Sequence, residues 1–382
     1  MAETSVLRHP AAVDWKLYEE TSSYSDPALT DPGTLGQYAV RLWEAGALQL
    51  LMEPAQDYVD LFTVIKTDGP EGRRSRTVWD ERRFNIRCTP PPKMPMGSPS
   101  VFSHWDLGRG RRRGDQMASV TGDLPDWFTR ILAPPSLVKY FALKNLTVGQ
   151  FLEALAAAGH PVPPGAERAS AVALRVLLMG WSWAPFVAHT LMLAILERAL
   201  RPFRSRRLTD GLPAPPLAGL RPVHWGFIDD YGVALEVPLG PKLQEVRRIQ
   251  RAIRAAFCKA GVIPHKERCG PGLHEHLGVD LGEADVLVPR AEKCLLPLSA
   301  TEWAAEKEKL SPIEVEKLVG GRNWCGLICR KLFRVFSIFY AMVRSAGHEQ
   351  PMSVQPSPPS GGCAVAALGD LLAVAAEANP TG

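Results

Sequence analysis

The sequence of 382 residues predicts an α+β fold, because strands and helices occur in separate runs without regular strand–helix–strand alternation. Apolar runs at 58–66 and 76–79 flank a turn at 68–70 and predict two paired strands. A second pair of strand-like runs lies within 224–237, on either side of an acidic turn. The composition, 46% hydrophobic and 22% charged, is that of a globular chain and excludes wholesale disorder.

Helical patterns fill most of the remaining chain. An amphipathic helix is predicted for 241–260, with its apolar residues on one face, basic residues on the other and a stop at Gly261. Beyond 348 the chain is rich in proline and alanine and predicts linker or disorder. The other predicted helices are 40–51, 148–158, 169–178, 184–200, 301–318 and 323–345.

Residues 176–196 contain no Asp, Glu, Lys or Arg and are long enough to span a bilayer. Gly180, Ser182, Pro185 and His189 interrupt this segment, and no second segment accompanies it. We therefore predict a buried helix entered through a loop, and no membrane partner.

The net charge of +4 conceals strong segregation along the chain. Residues 1–60 carry 3 basic and 10 acidic side chains, whereas 66–113 carry 12 basic and 5 acidic ones. Residues 239–270 carry 8 basic and 2 acidic side chains. Basic segments of this kind suit a nucleic-acid channel, because Lys and Arg release counterions from phosphates. Solvated faces on separate helices are an equally good explanation at this point.

The seven cysteines are odd in number and lack C-x-x-C spacing, which favours a reduced compartment over a disulfide framework. The start of the chain does not read as a signal peptide. We therefore expect an intracellular protein, cytoplasmic or nuclear, and not a secreted one. A zinc site is disfavoured, because the spacing of His265, Cys269, His274 and His276 matches no standard finger.

Three aspartates are candidates for chemistry. Asp123 follows a strand-like run, and Asp229 and Asp230 stand where a hairpin would turn. Adjacent carboxylates repel each other, and an all-oxygen site suits Mg²⁺. The alternative is an ordinary surface turn, with Asp123 as a cap.

Seven motifs follow one another along the chain: FTVIKTDG (62–69) with RTVWDERRFN (76–85), GDLPDWF (122–128), LLMGWSWAP (177–185), FIDDYG (227–232), GVIPHK (261–266), HLGVDL (276–281) and LVGGRNWCGLICRKLFRVF (318–336). In this order they resemble the reverse transcriptase family, the RNA-directed DNA polymerases of retroviruses and retroelements. The resemblance implies a right-hand polymerase fold with fingers, palm and helical thumb. The implied parts are an acidic N-terminal arm (1–50), fingers (51–115), palm (116–140), a fingers insertion (141–175), palm with a primer-grip hairpin (176–288), thumb (289–347) and a low-complexity tail (348–382).

The resemblance also implies a metal site. Asp123, the Leu124 carbonyl and Asp229 would hold two Mg²⁺ ions, for which Mn²⁺ could substitute, and Asp230 would support them. Asp123, Asp229 and Asp230 are thus the implied catalytic residues. The family's Tyr-x-Asp-Asp box has Phe227 here in place of its tyrosine.

Substrate contacts are implied in the same way. Lys66 and Arg76 would grip the incoming triphosphate, and Phe128 would exclude a ribose 2′-hydroxyl. Met179, where the family often has Gln, and Gly180 would pack on the nascent base pair. A further implied contact is Lys266, which would approach the leaving phosphates as a proton donor, with a solvated lysine as the alternative.

Template and primer contacts complete the set. Arg82 and Asn85 would lie near the template, and Leu277 and Gly278 would grip the primer. The implied basic surfaces on the duplex are loop 109–113, helix 241–260 and the thumb residues Arg322, Arg330, Lys331 and Arg334.

The implied activity is RNA-directed DNA polymerisation by a retroelement enzyme, with dNTPs and an RNA or DNA template with primer as partners. One alternative is a catalytically decayed, element-derived protein that binds nucleic acid. The other is an RNA-templated RNA polymerase, which the bulky Phe128 disfavours.

Overall fold

The computed structural model describes residues 6–69, 72–102, 105, 115–217, 221–238 and 243–280, and a few isolated positions between 288 and 353. The chain divides into two compact units. The first comprises Met1–Met94, Leu124–Arg198 and Ala255–His265, and the second comprises Pro95–Asp123, Ala199–Arg254 and Lys266–Gly382.

Helices and strands alternate irregularly along the described chain, as expected for an α+β protein. The α-helices are α1 (Trp15–Glu20), α2 (Pro32–Glu44), α3 (Arg82–Arg87), α4 (Pro99–Phe102), α5 (Trp127–Arg130), α6 (Val148–Ala157), α7 (Ala184–Leu200) and α8 (Gln244–Lys259). The strands are β1 (Leu48–Leu51), β2 (Tyr58–Gly69), β3 (Gly72–Asp80), β4 (Asp115–Asp123), β5 (Ala142–Leu143), β6 (Ala171–Leu174), β7 (Arg206–Arg207), β8 (Val223–Phe227), β9 (Asp230–Pro238), β10 (His265–Pro271), β11 (Val279–Asp280), β12 (Val288–Pro289), β13 (Lys309–Leu310) and β14 (Met352–Ser353).

A five-stranded sheet in the order β1-β6-β5-β2-β3 forms the first unit. β2 and β3 pair as an antiparallel hairpin, which confirms the two predicted strands. Asp68 and Gly69, predicted as turn residues, instead pair with Arg73 and Gly72 within the strands. β5 pairs parallel with β2 and antiparallel with β6. Helix α6 begins with a capping box in which Thr147 and Gln150 satisfy each other's backbone N–H groups.

Two sequence predictions in the first unit are wrong. Residues 169–178, predicted as a helix, contain the strand β6, whose four side chains are all buried. A short continuous apolar run has no periodicity to distinguish a buried strand from a helix, and pairing with β1 and β5 decides it. The helix predicted for 40–51 ends at Glu44, because the chain reverses at Gly46 (φ 70°) and enters strand β1.

Buried acidic residues line the first unit's hairpin. Asp60 and Asp80 lie opposite each other in the β2–β3 register, and each is held by polar partners. Lys144 Nζ contacts Asp60 at 2.8 Å, with Ser23 and Ser25 also donating to it. These bonds to the charged form hold the pKa of the Asp60 carboxyl below its usual value despite its burial.

The second unit is built on a sheet in the order β10-β4-β9-β8-β7. β8 and β9 form an antiparallel hairpin, which confirms the paired strands predicted within 224–237. One face of this sheet is covered by an apolar cluster that includes Phe102, Trp105 and Trp225. Phe102 and Trp105 make edge-to-face contacts with the Trp225 ring, which is fully buried.

The uncharged segment 176–196 enters helix α7 through a loop, as predicted. The helix is buried only in part, since Thr190, Leu191 and Ala194 are exposed. Trp127 Nε1 donates to the Ala188 carbonyl of α7 at 2.9 Å. Across the described residues, no helix combines the length and apolar character needed to cross a membrane.

Several predictions lie wholly or largely outside the described residues. These include the thumb arginines and lysine, loop 109–113, the helix at 323–345 and the tail. The helix predicted for 301–318 is wrong at Lys309–Leu310, which form β13 and pair with β14. That pairing joins residues more than forty positions apart, which a local pattern does not contain.

Candidate active site

Three aspartates meet at one end of the β4–β9–β8 sheet. Asp123 is the last residue of β4, and its cross-strand partner is Asp230, the first residue of β9. Residues directly opposite in an antiparallel pair have Cβ atoms about 4.5–5.5 Å apart. Asp229 precedes Asp230 in the turn. The fold therefore brings all three predicted catalytic residues together, although Asp123 lies over 100 positions before the adjacent pair Asp229 and Asp230 in sequence.

The turn itself is tight and strained. Phe227 pairs with Asp230, so Ile228 and Asp229 alone connect β8 to β9. Ile228 has φ 59°, a conformation that a β-branched residue rarely adopts and that costs about 1–3 kcal/mol. The register of the hairpin holds this conformation and places Asp229 at the tip.

Negative charge is crowded at this hairpin end. Burial, followed by the charges of Asp229 and Asp123, raises the pKa of the Asp230 carboxyl to about 7. A cation placed among these carboxylates would relieve the repulsion. The electrostatics thus favour a cationic occupant.

Lys266 supplies one such cation in this structure. Its Nζ lies 3.2 Å from Asp123 Oδ2, while 70% of its side chain remains exposed. Lys266 has φ 47°, so the backbone bends at the start of β10. Lys266, predicted to contact phosphates, therefore lies at the aspartates and forms an ion pair with Asp123.

Tyr231 packs against Gly122 of β4 next to the aspartates. Its ring packs so closely on Gly122 that an added Cβ at Gly122 would lie 2.5 Å from the Tyr231 hydroxyl. That hydroxyl donates to Glu267 Oε1 at 3.3 Å, and Arg254 pairs with the same carboxylate. Burial raises the pKa of Tyr231, so the phenol stays a neutral donor. The sequence analysis does not predict this contact. It depends on the β4–β9 register, which places Tyr231 directly opposite Gly122.

The predicted primer-contacting residues form a tight turn beside the hairpin. Leu277 (φ 54°) and Gly278 (φ 77°) both have positive φ, and His276 and Val279 exchange two backbone hydrogen bonds around them. His276 Nδ1 accepts from Trp225 Nε1 at 2.8 Å. Burial lowers the pKa of His276 to about 3, so the ring is neutral and accepts this bond.

The side chains of Arg82 and Asn85, the predicted template contacts, bind other residues of the first unit. Arg82 makes a forked contact to Asp80, with Nη2 at 2.6 Å. Asn85 donates to the Gly180 carbonyl and accepts from the Ser182 N–H, both at 2.8 Å. Asn85 therefore clamps the loop that precedes α7.

Gly180 is required by the geometry of that loop. Its φ is 136°, and a Cβ there would lie 2.1 Å from the Trp79 carbonyl oxygen. The Met179 carbonyl accepts from the Trp79 N–H at 3.3 Å. The two predicted nucleotide-contacting residues are therefore fixed to the end of β3, with Gly180 exposed.

The remaining predicted contacts lie in the first unit. Arg76 is exposed on β3, opposite Val64, and Lys66 falls at the register irregularity of β2. Phe128 is half-buried in α5, which the chain enters through Asp126 at φ 53°. Leu124 directly follows Asp123 and has a buried side chain.

The donor set fits a hard divalent cation. The predicted ligands are two carboxylates and one carbonyl, and Mg²⁺ is usually held by one or two carboxylates together with waters and substrate phosphates. Among the residues that the structure describes, no group of three or more His, Cys, Asp or Glu side chains is arranged as a metal cluster.

Comparison with known proteins identifies the fold. Two solved structures of a foamy viral protease-reverse transcriptase match it, the dRH protein in complex with double-stranded DNA and a complex with an RNA/DNA hybrid. Their TM-scores are 0.54 and 0.55 at 14% and 13% identity, over 94% and 93% of this chain. The chain has a reverse-transcriptase-like fold. It spans 50% and 38% of the length of those two chains, and neither a family model nor a curated protein matches its sequence.

Proposed function

We propose that this protein is an RNA-directed DNA polymerase, with the second unit's sheet as its palm and the β2–β3 hairpin as part of its fingers. The observation that carries the proposal is the register of Asp123 against Asp230, with Asp229 at the tip of a strained two-residue turn. The likeness to reverse-transcriptase structures supports the proposal at the level of the fold.

The proposed reaction is templated nucleotidyl transfer. The primer 3′-hydroxyl attacks the α-phosphate of a deoxynucleoside triphosphate, and pyrophosphate leaves. Asp123, Asp229 and the Leu124 carbonyl would hold Mg²⁺, which when bound supplies charge neutralisation at the phosphates. The chain's own contribution is positioning, because phosphoryl transfer requires little covalent chemistry from the protein.

Individual side chains have distinct proposed roles. Lys266 would leave Asp123 and reach the leaving phosphates when substrate and metal neutralise the aspartates. Phe128 would disfavour ribonucleotides, and the Leu277–Gly278 turn would hold the primer end. In the fingers, Arg76 would contact the triphosphate as an exposed planar donor.

A second candidate is a nucleic-acid-binding protein without catalysis. The Lys266–Asp123 ion pair favours it, because this contact already neutralises one proposed metal ligand. The two candidates differ in one property, which is template-directed extension.

Primer extension on a heteropolymeric RNA template and on its DNA counterpart separates the candidates. We expect extension with dNTPs in Mg²⁺ or Mn²⁺, and extension with NTPs only after Phe128→Ala. Binding of template–primer without extension in either metal would support the second candidate. Equal use of NTPs and dNTPs by the unmodified protein would indicate an RNA polymerase.

A further inference from the structure

Four arginines from two chain segments lie in or near β7, the edge strand of the second unit's sheet, and a fifth lies on an adjoining helix. We call Arg201, Arg204, Arg206, Arg221 and Arg248 the arginine edge. The Arg206 N–H donates to the Pro222 carbonyl at 3.0 Å, which places the residue next to Arg221. The resemblance to known polymerases implies a duplex contact for helix 241–260, which contains Arg248, and no role for the other four arginines.

Helix α8 joins the edge through an aromatic contact. The Arg248 guanidinium lies over the Phe203 ring, 5.2 Å from its centroid. Phe203 lies between Arg201 and Arg204 in sequence, so this contact brings α8 to the arginine-rich segment. Stacking of this kind also covers the ring and leaves a charged surface.

Positive charge on this edge is poorly compensated. Burial, followed by the charge of Arg221, lowers the pKa of Arg206. Arg206 Nε is buried and makes no hydrogen bond within the described structure. Arg248 has a carboxylate neighbour, Glu245, at 3.4 Å.

The other arginines of the edge have no such neighbour. For Arg201, Arg204 and Arg221, the described chain offers no carboxylate at ion-pair distance. Asp210, the acidic residue that follows Arg206 along the chain, accepts hydrogen bonds from Ser98 and Ser100. Within the described residues, the edge thus holds three exposed guanidinium groups, those of Arg201, Arg204 and Arg221, without a carboxylate at ion-pair distance.

The arginine edge lies apart from the aspartates. Strand β7 pairs with β8 at Val223 and His224, whereas Asp230 pairs with Phe227 at the opposite end of β8. Four residues of strand span about 13 Å. A ligand on the edge would therefore not occupy the space of the incoming nucleotide.

We infer that the arginine edge binds the phosphodiester backbone of a nucleic acid outside the catalytic site. Guanidinium groups match phosphate oxygens as paired donors, and binding releases counterions. A protein partner would need an apolar anchor at the centre of its interface, and the aromatic ring here is covered by Arg248. This inference goes beyond the proposed polymerase activity and does not depend on it.

Binding of a fluorescent 30-nucleotide single-stranded RNA, followed by anisotropy across a salt series, tests the inference. The edge variant is Arg201→Gln/Arg204→Gln/Arg221→Gln, in which all three side chains are exposed. The matched control is Lys16→Gln/Arg41→Gln/Arg168→Gln, which removes the same charge from exposed positions of the first unit. Thermal unfolding confirms that both variants fold.

We expect the edge variant to bind about 10- to 100-fold more weakly near 0.1 M salt, with a salt slope smaller by about 2, since three contacts to single strands contribute about 0.7 each. The control should remain within about twofold of the unmodified protein. Equal losses in the two variants, or an unchanged slope in the edge variant, would overturn the inference. The same measurement with duplex DNA shows whether single strands are preferred. A lack of primer extension by the unmodified protein would not change the interpretation of these binding data.

Discussion

Trp225 Nε1 donates a hydrogen bond of 2.8 Å to His276 Nδ1, and both side chains are buried. This bond ties β8, which leads into the Asp229 turn, to the turn formed by Leu277 and Gly278. The proposed metal-binding and primer-contacting elements therefore share one buried contact. We therefore predict that Trp225 positions the proposed primer-contacting turn relative to the aspartates.

Replacing Trp225 by Phe tests that role. One aromatic ring is kept, the pyrrole ring with its N–H donor is lost, and the buried His276 nitrogen is left without its partner at a cost of about 1–3 kcal/mol. We expect a lower single-turnover extension rate at saturating primer, with little change in the KM for dNTP. Trp183→Phe is the control, because Trp183 Nε1 also donates a hydrogen bond, part-buried, to the Thr89 carbonyl in the first unit. Equal losses of rate in the two variants would contradict a positioning role.

Glu81 should make the stability of the protein depend on pH. Burial, together with the charges of Asp57 and Asp80, raises the pKa of the Glu81 carboxyl well above its usual value. The folded protein keeps this proton while the unfolded chain releases it above about pH 4.5. Stability is therefore lost as the pH rises from that value towards the raised pKa. The free energy of unfolding, measured with denaturant, should fall less between pH 5 and pH 8 in Glu81→Gln than in the unmodified protein. An identical fall in both proteins would exclude Glu81 as the cause.

Lys266→Gln should strengthen metal binding. The ammonium group competes with a divalent cation for Asp123, and an exposed ion pair of this type contributes up to about 1 kcal/mol. We expect the Kd for Mn²⁺, followed by electron paramagnetic resonance, to fall by up to about fivefold. Lys259→Gln, on α8, is a control of equal charge, and a similar shift there would indicate a general electrostatic effect.

Gly180→Ala should destabilise the protein severely. The added Cβ would meet the Trp79 carbonyl oxygen at 2.1 Å, and the backbone has φ 136°. We expect a loss of more than about 3 kcal/mol in the free energy of unfolding. Gly46→Ala shares a positive φ but has open space around its Cβ, so it should cost about 1 kcal/mol. Comparable losses at both sites would show that steric contact at Gly180 is relieved by movement.

Local patterns in the sequence predict the strands and helices of this protein better than they predict the contacts between distant residues. The β2–β3 and β8–β9 hairpins carry turn residues between apolar runs, so they are predictable. Strand β6 was not, because its pairing with β1 joins residues more than 100 positions apart. Likewise, the motifs in the sequence indicate Asp123, Asp229 and Asp230 as candidate site residues. The Lys266–Asp123 and Trp225–His276 contacts are not predictable in this way, because they depend on how the sheet and its loops pack.

Template-directed addition of one nucleotide tests the central proposal most directly. A primer annealed to an RNA template is mixed with the complementary dNTP and Mg²⁺, and the rate is compared for the unmodified protein, Asp229→Asn and the exposed control Glu19→Gln. We predict that the first and third proteins add the complementary nucleotide at equal rates. Asp229→Asn should be slower by at least about a thousandfold, because a metal-bound carboxylate supports several kcal/mol of charge stabilisation. Equal rates for Asp229→Asn and Glu19→Gln, or no addition by the unmodified protein, would contradict the proposal.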